Sequence, residues 1–334
     1  MLILGIESSC DETGAAIIEG NNNSQKIKLL SNALASSLNV HSKTGGIIPE
    51  NAAREQVRFI VPVIKEALQE AGVKPADLDA IAVTYGPGLI GSLLIGVETA
   101  KTLSYIYNKP LIPTNHLIGH IYANWIEDNP KLPAIGLIVS GGHTDLVLLK
   151  QHGKLQWLGG TRDDAAGEAL DKIGRLLNLP YPGGPSIEKR AKQGNPWVYN
   201  FPKPLNDTSF DFSFSGLKSA VLREVKDKKL NDQAVNDICA NVQKVIIEIL
   251  IKKTLIAAEK FSAKSILLGG GVAANQTLRD ELAKMTKIKI PDTDIFIPQK
   301  SLCTDNGAMI AAASFFNNQT VDWQKVDADP SLYF

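Results

Sequence analysis

Pro113-Thr114-Asn115-His116-Leu117-Ile118-Gly119-His120 has a counterpart far downstream in Cys303-Thr304-Asp305-Asn306-Gly307, and each stretch lies between a short strand and a helical pattern. Before the first, Pro110 to Pro113 reads as a strand, and the helix opens with Thr114 or Asn115 as its N-cap. After the second, Ala308 to Phe316 reads as the helix. The likeness extends outward. Asp79 to Thr84, Gly86-Pro87-Gly88 and a helix from Gly91 to Tyr107 are echoed by Ser265 to Leu268, Gly269-Gly270-Gly271 and a helix from Ala274 to Lys284. Further out, strands Leu2 to Ile6, Ala15 to Ile18 and Leu29 to Ser36 precede a helix over Asn51 to Glu70. Strands Pro133 to Val139, Asp145 to Leu149 and Leu155 to Leu158 precede a helix over Ala165 to Leu177 in the same way. The pattern predicts an α/β protein of two duplicated lobes facing each other across a central cleft. The first lobe is expected over 1–115, with 305–334 returning to it, and the second over 116–304.

Composition limits the chemistry less than the motifs do. With 334 residues, 44% hydrophobic and 21% charged, the chain has the make-up of a globular protein large enough for two lobes. Lys plus Arg balance Asp plus Glu at 35 each, so any nucleic acid must be met by a local patch or with a partner's help. Cys10, Cys239 and Cys303 form no C-x-x-C pair, which suits a reducing cytoplasm. No apolar run is long enough for a membrane span, and no targeting segment is read at the N-terminus.

His116 and His120, at i and i+4, share one helix face and could bind one metal ion. A zinc protease would carry Glu after the first His as general base, and this chain has Leu117 there. In the duplicated fold, Asp305 is expected opposite the two imidazoles, contributed by the other half, as a third ligand. Glu7-Ser8-Ser9-Cys10-Asp11-Glu12-Thr13 and Ser140-Gly141-Gly142-His143-Thr144 are the corresponding hairpin turns. Their backbone N–H groups could face an anion.

Taken in order, those two turns, Asn115 to His120, Gly183-Gly184-Pro185, Gly269-Gly270-Gly271-Val272-Ala273-Ala274-Asn275 and Thr304-Asp305-Asn306-Gly307 resemble the tRNA threonylcarbamoyladenosine transferase family. That family, once called O-sialoglycoprotein endopeptidase, has the actin and sugar-kinase-like fold, and the likeness runs from Leu2 to about Phe316. A family-specific insertion is expected around 178–230. The resemblance implies transfer of threonylcarbamoyl from threonylcarbamoyl-AMP to N6 of the adenosine 3′ of the anticodon, in tRNAs reading codons that begin with A. It implies His116, His120 and Asp305 as ligands of one divalent ion, iron(II) by family and zinc by ligand chemistry. Ile138, Val139, Ser140, Gly141, Gly142, Asp171, Gly184, Glu188 and Asn275 match positions that hold the nucleotide and acyl group.

Asp11, Glu12 and His143 lie on turns expected near the metal. One of them could take the N6 proton or orient a water, while Asp11 and Glu12 could instead only order their turn. For tRNA, the best basic and aromatic stretch is Lys189, Arg190, Lys192 and Lys203 with Trp197, Tyr199 and Phe201. The resemblance also implies a catalytically inactive paralogue of the same fold and a small ATPase as partners. Phe59, Val63, Leu93, Leu94 and Val97 are apolar positions available either to a shared helical bundle or to the lobe's own core. A sugar kinase of the same fold and a metalloprotease are the rival readings. The first has no use for the His pair, and the second lacks its base.

Overall fold

From Ile3 to Ile6 the apolar run Leu2-Ile3-Leu4-Gly5-Ile6 is buried on both faces, as a central strand with layers above and below must be. It forms β1 (Leu2–Glu7), followed by β2 (Glu12–Asn21) and β3 (Lys26–Ser36) in an antiparallel meander. Helix α1 (Pro49–Ala71) leads to β4 (Ala80–Gly86), and α2 (Ile90–Tyr107) leads to β5 (Leu111–Asn115). Strands β4 and β5 add parallel to β1, giving the order β3-β2-β1-β4-β5. A short helix α3 (His116–Tyr122) follows at once. This computed structural model describes residues 1–21, 23–36 and 48–334.

The second sheet repeats the plan. Strands β6 (Ala134–Val139), β7 (Thr144–Gln151) and β8 (Lys154–Gly160) form the meander, and β9 (Ser265–Gly269) and β10 (Asp294–Phe296) add parallel to β6. Read from β8, the order β8-β7-β6-β9-β10 is that of the first sheet. Four helices stand between β8 and β9: α4 (Ala166–Leu176), α5 (Gly183–Ala191), α6 (Ser215–Val225) and α7 (Asp232–Lys260). One helix, α8 (Gln276–Lys289), joins β9 to β10. Between α5 and α6, Phe212 and Phe214 are buried.

After β10 come α9 (Lys300–Cys303) and α10 (Gly307–Phe316). The chain divides into Met1–Asn129 with Pro298–Phe334, and Pro130–Ile297. The sequence reading drew the boundaries at 115/116 and 304/305, so α3 falls in the first unit rather than the second. Packing is the reason: Leu117 and Ile121 are buried, and Gly119 meets Ile310 and Met309 of α10.

Helix α10 is apolar all round, with Ala308 to Ala313 buried, and it lies directly on β1 and β2. Glycines permit that approach. A Cβ on Gly5 would collide with the Gly307 carbonyl oxygen and stand 2.6 Å from the Ala311 nitrogen, while one on Gly14 would stand 2.8 Å from the Gly307 nitrogen. All of these are backbone atoms, which cannot swing away. Gly5→Ala is expected to destabilise the fold by about 1–3 kcal/mol, seen as a lower thermal midpoint. An unchanged midpoint would refute the tight packing.

Candidate metal centre

Two asparagine caps start the helices that carry the ligands. Asn115 Oδ1 accepts hydrogen bonds from the Leu117 and Ile118 N–H groups at 2.8 and 3.2 Å, which makes Asn115, not Thr114, the N-cap of α3. Asn306 Oδ1 accepts from Met309 N–H at 3.0 Å and caps α10, while its Nδ2 donates to the Thr304 carbonyl at 2.6 Å. Asp305 is thereby held on a braced turn. The bare backbone at Gly119 lets α10 close on α3, since a Cβ there would sit 2.9 Å from Ile310 Cδ1.

The result is a compact donor set within the first unit. Asp305 Oδ1 lies 3.3 Å from His120 Nε2 and 3.6 Å from His116 Nε2, and the three ligand atoms lie within 4.8 Å of one another. Ligand atoms around a tetrahedral ion with bonds of about 2.1 Å stand roughly 3.4 Å apart. Asp305 therefore comes from the unit that holds the histidines, not from the opposite half.

Burial and charge also fit a cation. His120 is fully buried, yet neither ring nitrogen has a hydrogen-bond partner, because the approach of Asp305 is close but misaligned for a hydrogen bond. His116 differs, its Nδ1 lying 3.1 Å from both Glu7 Oε2 and Ser9 Oγ. Burial works against a positive His116, but Asp305 and Glu7 outweigh it and lift the imidazole to about 9. Burial lowers His120, with the pull of Asp305 and the repulsion of His116 acting on top.

The acids of the β1–β2 turn add negative charge. Burial, then Asp305, Asp11 and Glu7, push the Glu12 carboxyl up to about 10. The Cys10 thiol is raised by burial and by Asp305, Asp11 and Glu12. So many acids around one buried spot call for a positive charge that His116 alone does not supply. The turn is fixed from behind, with Gln56 Nε2 donating to the Cys10 and Glu12 carbonyls at 3.0 and 3.1 Å and Ser92 Oγ donating to the Cys10 carbonyl at 3.0 Å.

The other expected site residues gather in the second unit at the C-terminal ends of β6 and β9. Ile138 and Val139 are buried in β6, and Ser140 to His143 make the turn. Gly141 and Gly142 are exposed, with open space where a Cβ would be, so a ligand can reach their backbone. Gly167 N–H donates to the Ser140 carbonyl at 3.1 Å, setting the start of α4 against the turn. Asp171 Oδ1 accepts from Gly183 N–H at 2.7 Å. Burial raises the Asp171 carboxyl, opposed by the Gly183 and Gly184 N–H groups at the start of α5. The flanking Lys172 pairs with Asp164 and Glu168 instead. Glu188 Oε1 accepts from Gln276 N–H at 2.9 Å, beside Asn275, which caps α8 and donates through Nδ2 to Gln243 Oε1 at 3.0 Å.

Three residues at the His116 ring escaped the sequence reading: Glu7 and Ser9 as functional groups, and Thr84, whose hydroxyl donates to Glu7 Oε2 at 2.6 Å. An acid ending the apolar run Leu2 to Ile6 was the available signal. The basic and aromatic stretch divides. Lys189 and Lys192 are exposed, but Arg190 pairs with Asp232, Lys203 pairs with Glu248, and Phe201 is buried. Trp197 is exposed with Lys244 Nζ 2.9 Å above its ring.

Residues 28–312 match the family model described as tRNA N6-adenosine threonylcarbamoyltransferase. The protein of that name from Moorella thermoacetica is 51% identical over 319 residues, covering 94% of this chain and 91% of the relative. That of Anoxybacillus flavithermus is 46% identical over 337 residues, covering 99% and 97%. Among solved structures, Thermococcus kodakarensis HypF matches 95% of this chain with 47% of its own length, at a TM-score of 0.65 and 13% identity. Component A of the Acidaminococcus fermentans (R)-2-hydroxyglutaryl-CoA dehydratase matches 95% and 98%, at 0.54 and 16%. At those identities the two structures speak for the fold alone, that of the actin and sugar-kinase-like class.

Because His116 holds a proton up to about pH 9 in the metal-free chain, an incoming ion must displace it. Apparent metal affinity is therefore expected to rise with pH below that value, by up to about tenfold per unit, in competition titrations against a chelator. A flat profile would contradict the arrangement.

Proposed function

We infer the workings of the site from one premise: this chain belongs to the tRNA N6-adenosine threonylcarbamoyltransferase family. It is an acyltransferase that places threonylcarbamoyl on N6 of an adenosine in tRNA. The donor is threonylcarbamoyl-AMP and the acceptor is the adenosine 3′ of the anticodon in tRNAs reading codons that begin with A. The His116, His120 and Asp305 cluster carries the mechanistic reading.

Adenine N6 is a weak nucleophile because its lone pair is spread into the ring. In the reaction the N6–C bond forms, the bond from carbamoyl carbon to phosphate oxygen breaks, AMP leaves with that oxygen, and N6 gives up a proton. A divalent ion at His116, His120 and Asp305, iron(II) by family and zinc by ligand chemistry, would supply a Lewis acid for a carbonyl or phosphate oxygen. Gly141 and Gly142 offer exposed backbone to the donor's oxygens, and Gly184, Glu188 and Asn275 border the adenylate. Asp171 acts indirectly, by holding the start of α5. Asp11, on a turn braced by Gln56 and Ser92, is the acceptor for the N6 proton. The neighbouring Glu12 carboxyl, pushed up to about 10, holds its own proton and orients the turn or a water, and His143 stands on the donor-side turn.

The chain works in the cytoplasm with partners, an inactive paralogue and a small ATPase. No helix among the described residues is long and apolar enough to cross a membrane. Of the apolar positions considered for a helical bundle, Val63, Leu93 and Val97 are core residues, Phe59 packs against the core, and Leu94 is exposed. Val57, Val61 and Ile90 are exposed on the same two helices and extend that face. Lys189 and Lys192 are the remaining candidates for tRNA phosphates. Leu117 is fully buried at the place where a metalloprotease needs a solvated base, which disfavours peptide hydrolysis.

With partners, labelled threonylcarbamoyl-AMP and tRNA, the protein should label tRNA, and Asp305→Ala should slow the transfer by about a hundredfold or more. No labelling by the wild type, or full labelling by the variant, would overturn the reading.

A further inference from the structure

Glu7 is wholly buried at the end of β1, where an unpaired carboxylate would be costly. Its two oxygens are shared among three elements. Oε1 accepts from Ser9 N–H at 2.6 Å, on the β1–β2 turn. Oε2 accepts from the Thr84 hydroxyl at 2.6 Å, on β4, and faces His116 Nδ1 at 3.1 Å, on α3. A carboxylate with both other contacts supplied by donors has only acceptor capacity left for the ring. His116 Nδ1 must therefore carry the proton, and the lone pair of the neutral ring must sit on Nε2, the nitrogen that approaches Asp305 Oδ1. His120 has no such partner on either nitrogen.

We propose that Glu7, braced by Thr84 and Ser9, is a positioning residue that fixes the tautomer and orientation of His116 and so makes Nε2 its metal-binding atom. The assignment rests on the metal reading of His116, His120 and Asp305. It predicts an unusual sensitivity to an isosteric change. In Glu7→Gln, the Ser9 N–H can only donate, so the new amide oxygen must take the Oε1 place and the amide NH2 must face Thr84 and His116. The Thr84 hydroxyl can rotate to accept. His116 Nδ1 can accept from that amide only by giving up its proton, which moves to Nε2 and blocks the ligand atom. A proton kept on Nδ1 has only Ser9 Oγ, 3.1 Å away, to receive it and must face the amide NH2.

The test uses zinc and the full chain. Zinc affinity is measured by chelator competition for wild type, Glu7→Gln, Thr84→Val and Asp305→Ala, with circular dichroism to check folding. Long-range 15N–1H spectra of the zinc-saturated wild type identify which His116 nitrogen bears the proton. The expected results are a proton on Nδ1 with Nε2 ligated, and an affinity about 10–100-fold weaker in folded Glu7→Gln, with a smaller loss in Thr84→Val. Folded Glu7→Gln with wild-type affinity overturns the proposal, and so does a wild-type spectrum with Nδ1 ligated. That spectrum decides the matter even if Glu7→Gln does not fold. The metal reading itself fails separately, if the wild type binds no zinc or Asp305→Ala binds it undiminished.

Discussion

The structure of the first unit depends on how closely α10 can lie on β1, β2 and α3. Backbone meets backbone at Gly5, Gly14 and Gly307, and Gly119 opens the same path on α3. Dispersion and apolar burial reward the contact, with Ala308 to Ala313 all removed from water. Its chemical effect is on Asp305, which is carried to 3.3 Å from one imidazole and 3.6 Å from the other. A methyl group at any of these glycines pushes on the same helix that aims the carboxylate. Packing and ligand geometry are one constraint here.

Around that point the first unit concentrates groups that repel one another when no cation is present. Glu7, Asp11, Glu12 and Asp305 crowd a buried region, and burial first, then the neighbouring acids, push the Glu12 carboxyl up to about 10. Buried charge of one sign is tolerated where a partner offsets it. Glu7 has such partners in Ser9, Thr84 and His116, whereas the nitrogens of the buried His120 ring have no hydrogen-bond partner and only Asp305 nearby, at 3.3 Å. Together with His116 and Asp305, that ring makes a group of side chains that could hold an ion. The second unit has the complementary character, with exposed glycines at the β6–β7 turn and helix starts held by Asp171, Glu188 and Asn275.

Much of this was legible in the sequence because it follows from periodicity and punctuation. The duplicated order of strands, the asparagine at a helix start and the i, i+4 histidines are local patterns, and all appear as read. What stayed hidden depends on long-range packing. The return of Asp305 to the first body is legible, but nothing in the spacing of His116 and His120 says that they join it too, since α3 is tied there by long-range packing of Gly119 on Ile310 and Met309. Thr84 looks like any β-branched strand residue until β4 pairs with β1 and places its hydroxyl on Glu7. Likewise Lys203 and Phe201 read as a nucleic-acid surface, while the fold gives one to Glu248 and the other to the core.

The first unit is discontinuous, closing only when Pro298–Phe334 joins Met1–Asn129. On a ribosome, roughly ten to thirty seconds pass between the emergence of the histidines and that of Asp305, at the usual pace of synthesis. For that interval β1 and β2 lack the apolar helix that covers them, and the two imidazoles lack their carboxylate. The ion can therefore be gripped by the full ligand set only late in biogenesis. Possession of metal then certifies that Asp305 and α10 have been made and that α10 has found the sheet made first.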